Sequence, residues 1–210
     1  MRQDQDYHRF ADERVLLGID NAADVLSSLP LLAVGLMGLR TLGAYRVFFA
    51  AVALAGLGSI YYHLSPDDAR LVWDRLPIAL AAMALLAAVI ARRASETPRL
   101  LVPLMALGAA SVLYWAAFDD LRPYGLVQFG SLAVVLGVSI YKKGWTICAA
   151  VALYGLAKFF ELYDREVYTF TGEWLSGHTL KHLLAAAAVY VILLGQKNRK
   201  NRHVPHFRDP

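Results

Sequence analysis

Cysteine and charged residues are both scarce in this chain of 210 residues. Cys148 is the single cysteine and lies in an apolar run, which excludes a disulfide framework and a cysteine-ligated metal site. Only 18% of the residues are charged, whereas 58% are hydrophobic and the mean hydropathy is +0.43. The net charge is +4, but the basic residues are spread over loops without interleaved aromatic residues. This pattern argues against nucleic-acid binding and favours an integral membrane protein.

The apolar residues fall into seven runs, each near the ~20 residues that a helix needs to cross a hydrocarbon core. The runs cover 21–40, 46–64, 75–92, 99–118, 123–141, 145–164 and 176–195. We therefore predict an all-α membrane protein built as a bundle of seven transmembrane helices over 21–195. An N-terminal segment over 1–20 precedes the bundle, and a basic tail over 196–210 follows it.

The distribution of positive charge predicts the orientation of this bundle. With seven spans the two termini lie on opposite sides of the membrane. The side of the C-terminus receives twelve Lys and Arg residues, and the other side receives seven. By the positive-inside rule the N-terminus is outside and the C-terminus is cytoplasmic. The polar, mixed-charge N-terminus is not typical of a cleaved signal peptide.

Three of the six histidines adjoin apolar runs, and the topology predicts that they meet. His178 and His182 are four residues apart in the last run, so a helix places both on one face. His63 ends the second run. The second run ends and the seventh run begins on the outer side of the membrane, so all three histidines lie at a similar depth. The boundaries of the runs depend on hydrophobicity alone and not on the histidines. Three nitrogen ligands with a position left for water are typical of a catalytic zinc site.

Two further polar residues lie at this level. Ser59 is four residues before His63 and shares its helical face, and Asp74 is at the predicted start of the third span. Each has a simpler interpretation. Ser59 could pack helices together with Gly56 and Gly58, and Asp74 could cap its helix.

Ser59-x3-His63, Asp74 and His178-x3-His182, in this order, resemble the alkaline ceramidase family of the CREST superfamily of seven-span membrane hydrolases. The stretches 10–12, 17–21, 62–66 and 176–182 are similar to its bacterial ceramidase-like branch. The resemblance implies zinc on the three histidines, with Ser59 and Asp74 acting beside it. It also implies hydrolysis of the N-acyl amide of a ceramide-like lipid at the periplasmic face of a bacterial inner membrane, with release of a fatty acid.

A calcium site of the kind found in the animal enzymes is not expected. Their motif is acidic and contains tryptophan, whereas no tryptophan precedes Trp73 in this chain.

The two ligands of the last run have no acid between them, because residues 179–181 are Thr, Leu and Lys. A base must therefore come from another helix, unlike in His-Glu-x-x-His proteases. We expect Asp74 to move the proton and Ser59 to hydrogen-bond the water or the developing oxyanion. We expect Lys181 to snorkel or pair with an outer acid such as Glu173.

Two other functions compete with hydrolysis. One is a seven-span receptor or sensor with a structural zinc site. The other is an ion-coupled transporter, which is disfavoured because the intramembrane charges gather near one face. The expected partners are an N-acylated lipid and the surrounding membrane lipids, and the oligomeric state is left open. Tryptophans near span ends, namely Trp73, Trp115 and Trp145, are predicted interfacial anchors.

Overall fold

Helices form nearly all of the regular structure. The computed structural model describes residues 2–91 and 96–202, without the side chains of residues 199–202. It is 80% helical, and no strand occurs in the described ranges. Apolar runs of this length become helices in lipid because each backbone N–H and C=O must be paired within its own segment. The prediction of an all-α fold is confirmed.

Eight helices are found in the described residues, and each of the seven predicted runs coincides with a long one. They are α1 (Ala22–Gly38), α2 (Gly43–His63), α3 (Asp68–Ile90), α4 (Thr97–Phe118), α5 (Arg122–Tyr141), α6 (Trp145–Leu162), the short α7 (Asp164–Phe170) and α8 (Gly177–Arg202). Six of them, α2 to α6 and α8, are long and apolar enough to cross a membrane. Helix α1 has 17 residues and is shorter.

The close approach of α2 and α3 positions one side of the candidate site. Helix α2 packs between α1 and α3, while α8 packs against α1 and α6. A Cβ built on Gly58 would overlap the backbone carbonyl of Trp73. Glycine at this position therefore allows the backbones to touch beside Ser59 and Asp74.

The start of α3 and the place of one tryptophan differ from the sequence predictions. Helix α3 begins six residues before Asp74, and the side chain of Asp67 caps it by accepting the backbone N–H of Arg70 at 2.7 Å. Asp74 is thus a buried interior residue of α3 and does not cap it. Trp115 is only 2% exposed, so its prediction as an interfacial anchor is wrong.

Helix α5 contains a π-helical turn over Leu126–Gly130. A π turn adds one residue to a helical turn and often occurs at functional sites. Here it includes Gln128, which is buried.

The N-terminal segment folds back over the ends of the helices at which α2 ends and α3 begins. Its 3₁₀ turn, Gln5–His8, is capped by the side chain of Asp4. The His8 Nδ1 and Nε2 atoms lie 2.8 Å from the Tyr62 hydroxyl and 3.0 Å from Asp68 Oδ1. His8 is therefore held against the end of α2 and the start of α3. His203 and His206 lie outside the described residues.

Candidate metal centre

The histidines that end α2 and begin α8 converge as predicted. One ring nitrogen from each of His63, His178 and His182 lies within 4.8 Å of the others, and all three side chains are buried. The Nε2 atoms of His63 and His178 are 3.3 Å apart. Two nitrogens on a tetrahedral ion, each bonded at about 2.0–2.1 Å, are separated by about 3.4 Å. The three side chains are therefore positioned to hold a metal ion.

The first turn of α8 is held in place by an acid from the start of α7. Asp164 Oδ1 accepts the backbone N–H of His178 at 2.7 Å, and Oδ2 accepts the backbone N–H of Ala11 at 2.8 Å. One carboxylate thus joins the N-terminal segment to the ligand helix. Gly177 permits this contact, because a Cβ there would overlap the Phe160 carbonyl.

His182 is oriented by serines of α1. The Ser27 hydroxyl lies 2.9 Å from His182 Nδ1 and donates its own proton to the Asp24 carbonyl at 3.1 Å. The hydroxyl must therefore accept from Nδ1–H, which leaves the lone pair of His182 on Nε2. Outer hydrogen bonds of this kind fix the tautomer and direction of a metal-binding imidazole.

Ser59 belongs to the same hydrogen-bond network. Its Oγ atom lies 3.4 Å from His182 Nε2 and 2.9 Å from Ser28 Oγ. Since the Ser28 hydroxyl donates to the Asp24 carbonyl at 2.8 Å, it accepts the proton of Ser59. Ser59 is therefore beside the cluster, as predicted, but its hydroxyl proton is directed toward α1.

His178 Nε2 accepts a hydrogen bond from Lys181 Nζ at 3.0 Å. Lysine only donates, so this nitrogen carries a lone pair. Lys181 also pairs with Glu161 at 2.9 Å, and the same carboxylate pairs with Lys158. Lys181 therefore pairs with an acid, as one of the two expectations had it, but the acid is Glu161 and not Glu173. Burial, and then the charge of Glu161, raises the pKa of Tyr7 far above its usual value, so its hydroxyl stays protonated and donates to Glu161 at 3.0 Å.

Phe10 covers the cluster from the N-terminal side. Its ring centroid is 4.6 Å from the ring centroids of both His63 and His178. His63 Nδ1 is buried without a hydrogen-bond partner, and the His63 carbonyl accepts from Asn21 Nδ2 at 3.0 Å. Packing by Phe10 and Tyr62, rather than a hydrogen bond to Nδ1, therefore orients His63.

A cavity of about 670 Å³ begins beside the cluster and continues into the bundle. Ser59, Asp74 and His182 are among its polar lining residues. Its deeper walls are apolar and include Phe48 and Ile192. The cavity thus brings the predicted Asp74 to the same space as Ser59 and one histidine, and it has room for an acyl chain.

Sequence reasoning missed three residues that support this site: Phe10, Ser27 and Ser28. Asp24, Ser27 and Ser28 are spaced i, i+3 and i+4, which places them on one helical face and was a usable signal. Phe10 belongs to no helical spacing pattern, so its position over the cluster was not predicted. No family model, curated protein or solved structure matches the chain.

Proposed function

We propose that the protein is a zinc-dependent membrane amidohydrolase of the alkaline ceramidase type. It cleaves the N-acyl amide bond of a ceramide-like lipid and releases a fatty acid. In this proposal all seven long helices cross a bacterial inner membrane, the N-terminus is outside, and the site opens toward the periplasmic face. The observation that carries it is a buried set of three histidine nitrogens beside a largely apolar cavity.

The donor set favours zinc. Three imidazole nitrogens without an acidic ligand suit zinc, copper or nickel better than magnesium or calcium, which prefer oxygen. When bound, zinc acts as a Lewis acid that activates water for attack on an acyl carbon near neutral pH.

Asp74 is the group that handles the proton in this scheme. It is buried in α3 and lines the cavity together with Ser59 and His182. A carboxylate there accepts a proton as water adds to the amide carbon, and it returns the proton to the amine nitrogen as the C–N bond breaks. Ser59 positions the reacting carbonyl once its hydroxyl turns from Ser28 toward the cavity.

The apolar part of the cavity binds the acyl chain. The Phe48, Val52 and Leu85 side chains line this part, and Phe48 and Val52 lie on α2 several turns before His63. An acyl chain placed there leaves its amide carbonyl at the polar end. Burial of the chain fixes the amide beside the reacting groups, which lowers the entropy cost of reaction.

One observation favours a second candidate, a receptor or sensor with a structural metal site. The three histidines are only 1–4% exposed, and Phe10 covers two of them. Closed sites of this kind are typical of structural zinc. Such a protein would retain zinc but would not release fatty acid.

The decisive experiment measures zinc content and fatty-acid release on the same purified full-length protein. Zinc is measured by elemental mass spectrometry, and fatty acid is measured from a panel of N-acyl lipids that begins with ceramide. We expect about one zinc per chain, and release that chelation abolishes and added zinc restores. His178→Ala should lose both, while His206→Ala, a control in the predicted tail, should keep both.

Two outcomes would count against the proposal. Full zinc occupancy in His178→Ala would refute the ligand assignment. Zinc in the wild-type protein without release from any lipid of the panel would favour the receptor or sensor.

A further inference from the structure

A second group of polar side chains lines the cavity and takes no part in the proposed reaction. Its members come from α3, α5 and α6 and include Arg75, Gln128 and Tyr154. The reacting groups lie on α2, α8 and the neighbouring position of α3. The cavity is therefore lined by polar side chains beyond those assigned to the reaction.

Arg75 is the unusual member of this second group. Its guanidinium is buried among three aromatic rings, with the Cζ atom 5.2 Å from the ring centroid of Tyr7, 4.4 Å from Trp115 and 5.3 Å from Tyr124. These rings hold the cation in place through their faces, which accept no conventional hydrogen bond. Nη1 is a buried donor without a hydrogen-bond partner.

The other cations that line the cavity each pair with a carboxylate, whereas Arg75 does not within the described part of the chain. Lys158 and Lys181 share Glu161, and Arg122 pairs with Asp120. Among the described residues, no carboxylate lies within ion-pair distance of Arg75. A buried guanidinium is costly unless an anion meets its charge and its N–H groups. The position thus suits an anionic oxygen that enters through the cavity.

The π turn of α5 supplies a second observation. It carries Gln128, whose Nε2 donates to the Tyr154 hydroxyl at 2.6 Å. Because that hydroxyl accepts from Gln128, its own proton is free to be donated, and no other acceptor for it is found in residues 2–91 and 96–202. Tyr154 and Arg75 therefore both offer donors to one cavity, next to a helical irregularity that is frequent at functional sites.

We propose that Arg75 and Tyr154 form a subsite for an anionic headgroup oxygen, a carboxylate or a phosphate. The lipid is then an acidic N-acyl lipid, with its acyl chain in the apolar part of the cavity and its acid at Arg75. The substrate class rests on the proposed hydrolase function, whereas the anion subsite does not depend on it. An arginine fork fits either acid, because both present two oxygens in a plane.

Binding of matched lipids to the purified full-length protein tests the subsite. The probes are N-oleoylglycine, its uncharged analogue N-oleoylglycinamide, and N-oleoylphosphoethanolamine. We expect the wild type to bind the acidic probes about tenfold more tightly than the amide. The tighter acidic probe identifies the headgroup as carboxylate or phosphate.

Two arginine variants give the matched comparison. Arg75→Gln should remove the preference for acidic probes, with little change for the amide. Arg70→Gln should keep it, because Arg70 stacks on Tyr61, at 5.0 Å from its ring centroid, and does not line the cavity. If Arg75→Gln does not fold, Arg75→Lys is measured instead, and its preference should fall at least about threefold because the fork is lost.

The outcomes separate this subsite from the hydrolase itself. Equal binding of acidic and uncharged probes by the wild type would overturn the subsite, as would an undiminished preference in Arg75→Gln or Arg75→Lys. His178→Ala should still prefer the acidic probes although it hydrolyses none. An acid preference without hydrolysis of any probe by the wild type would keep the subsite and reject the proposed function.

Discussion

The Nε2 atoms of His63 and His178 lie 3.3 Å apart, although 115 positions separate the two residues in the chain. At this distance the two nitrogens either form an N–H···N hydrogen bond or share a bound cation. The pair forms where the end of α2 meets the start of α8. Residues of α1, α7 and the N-terminal segment hold the histidines in place, and the contribution of each can be tested separately.

Loss of the Ser27 hydroxyl should weaken metal binding without unfolding the protein. Ser27→Ala removes the acceptor of His182 Nδ1–H, so the imidazole is no longer held in one tautomer. We expect zinc affinity to fall about 10–100-fold, as for other outer hydrogen bonds of metal ligands. Competition with a chelating dye measures this. The control is Ser111→Ala, a buried serine that donates to the Gly108 carbonyl, and an equal loss there would contradict the assignment.

A methyl group at Gly58 should force α2 away from α3. Its Cβ would overlap the Trp73 carbonyl, and neither backbone can yield locally. We expect Gly58→Ala to lose about 1–3 kcal/mol of stability, together with metal affinity, because the α2 ligand moves. Gly137→Ala is the matched control, since a Cβ there meets nothing within 4 Å. Thermal unfolding in detergent compares the two, and equal melting temperatures would contradict the close packing.

Asp164 should stabilise both the start of α8 and the N-terminal segment. Asp164→Ala removes the acceptors of the His178 and Ala11 backbone N–H groups. We expect a loss of about 1–2 kcal/mol, typical of a helix cap, and a lower zinc affinity. Asp67→Ala removes the comparable cap of α3, which does not contact the histidines. Asp67→Ala should lower the melting temperature but leave the zinc affinity unchanged. A similar loss of zinc affinity in both variants would argue against a specific role of Asp164 in positioning His178.

Removal of the Phe10 ring should open the cluster to solvent. The ring packs on His63 and His178, so Phe10→Ala exposes two ligands to a soluble chelator. We expect zinc to leave several-fold faster, as measured by stopped-flow with a chromogenic chelator. Phe118→Ala, at a ring that is 68% exposed at the end of α4, should leave the rate unchanged. An unchanged rate in Phe10→Ala would show that the chelator enters by another route.

The helices and the histidine cluster were predictable because their signals repeat along the chain. Apolar runs of membrane length give helices, and the four-residue spacing of His178 and His182 gives a shared face. The alternating direction of successive spans then predicts that His63 lies on the same side of the membrane as His178 and His182. These rules depend only on local sequence and on the thickness of a membrane, so a single sequence is sufficient for them.

Contacts made by irregular or polar segments were not predictable in the same way. His8 and Phe10 belong to a stretch without apolar periodicity, and only tertiary packing places them over the site. Lys181 had several acids within reach in a helical bundle, and the choice of Glu161 depends on how α6 and α8 rotate about their axes. The start of α3 was predicted too late because its first turn is polar and does not belong to the apolar run. The true start is marked by the N-cap Asp67, which a search for hydrophobic runs does not detect.

Two of the three imidazoles come from α8, which is synthesised later than His63. A nascent chain that has not yet reached α8 presents a single ligand, His63, and so cannot retain an ion. Loading of the proposed metal therefore has to follow the synthesis of α8. Since Asp164 joins Ala11 to His178, closure of the N-terminal segment over the cluster also has to wait for that helix.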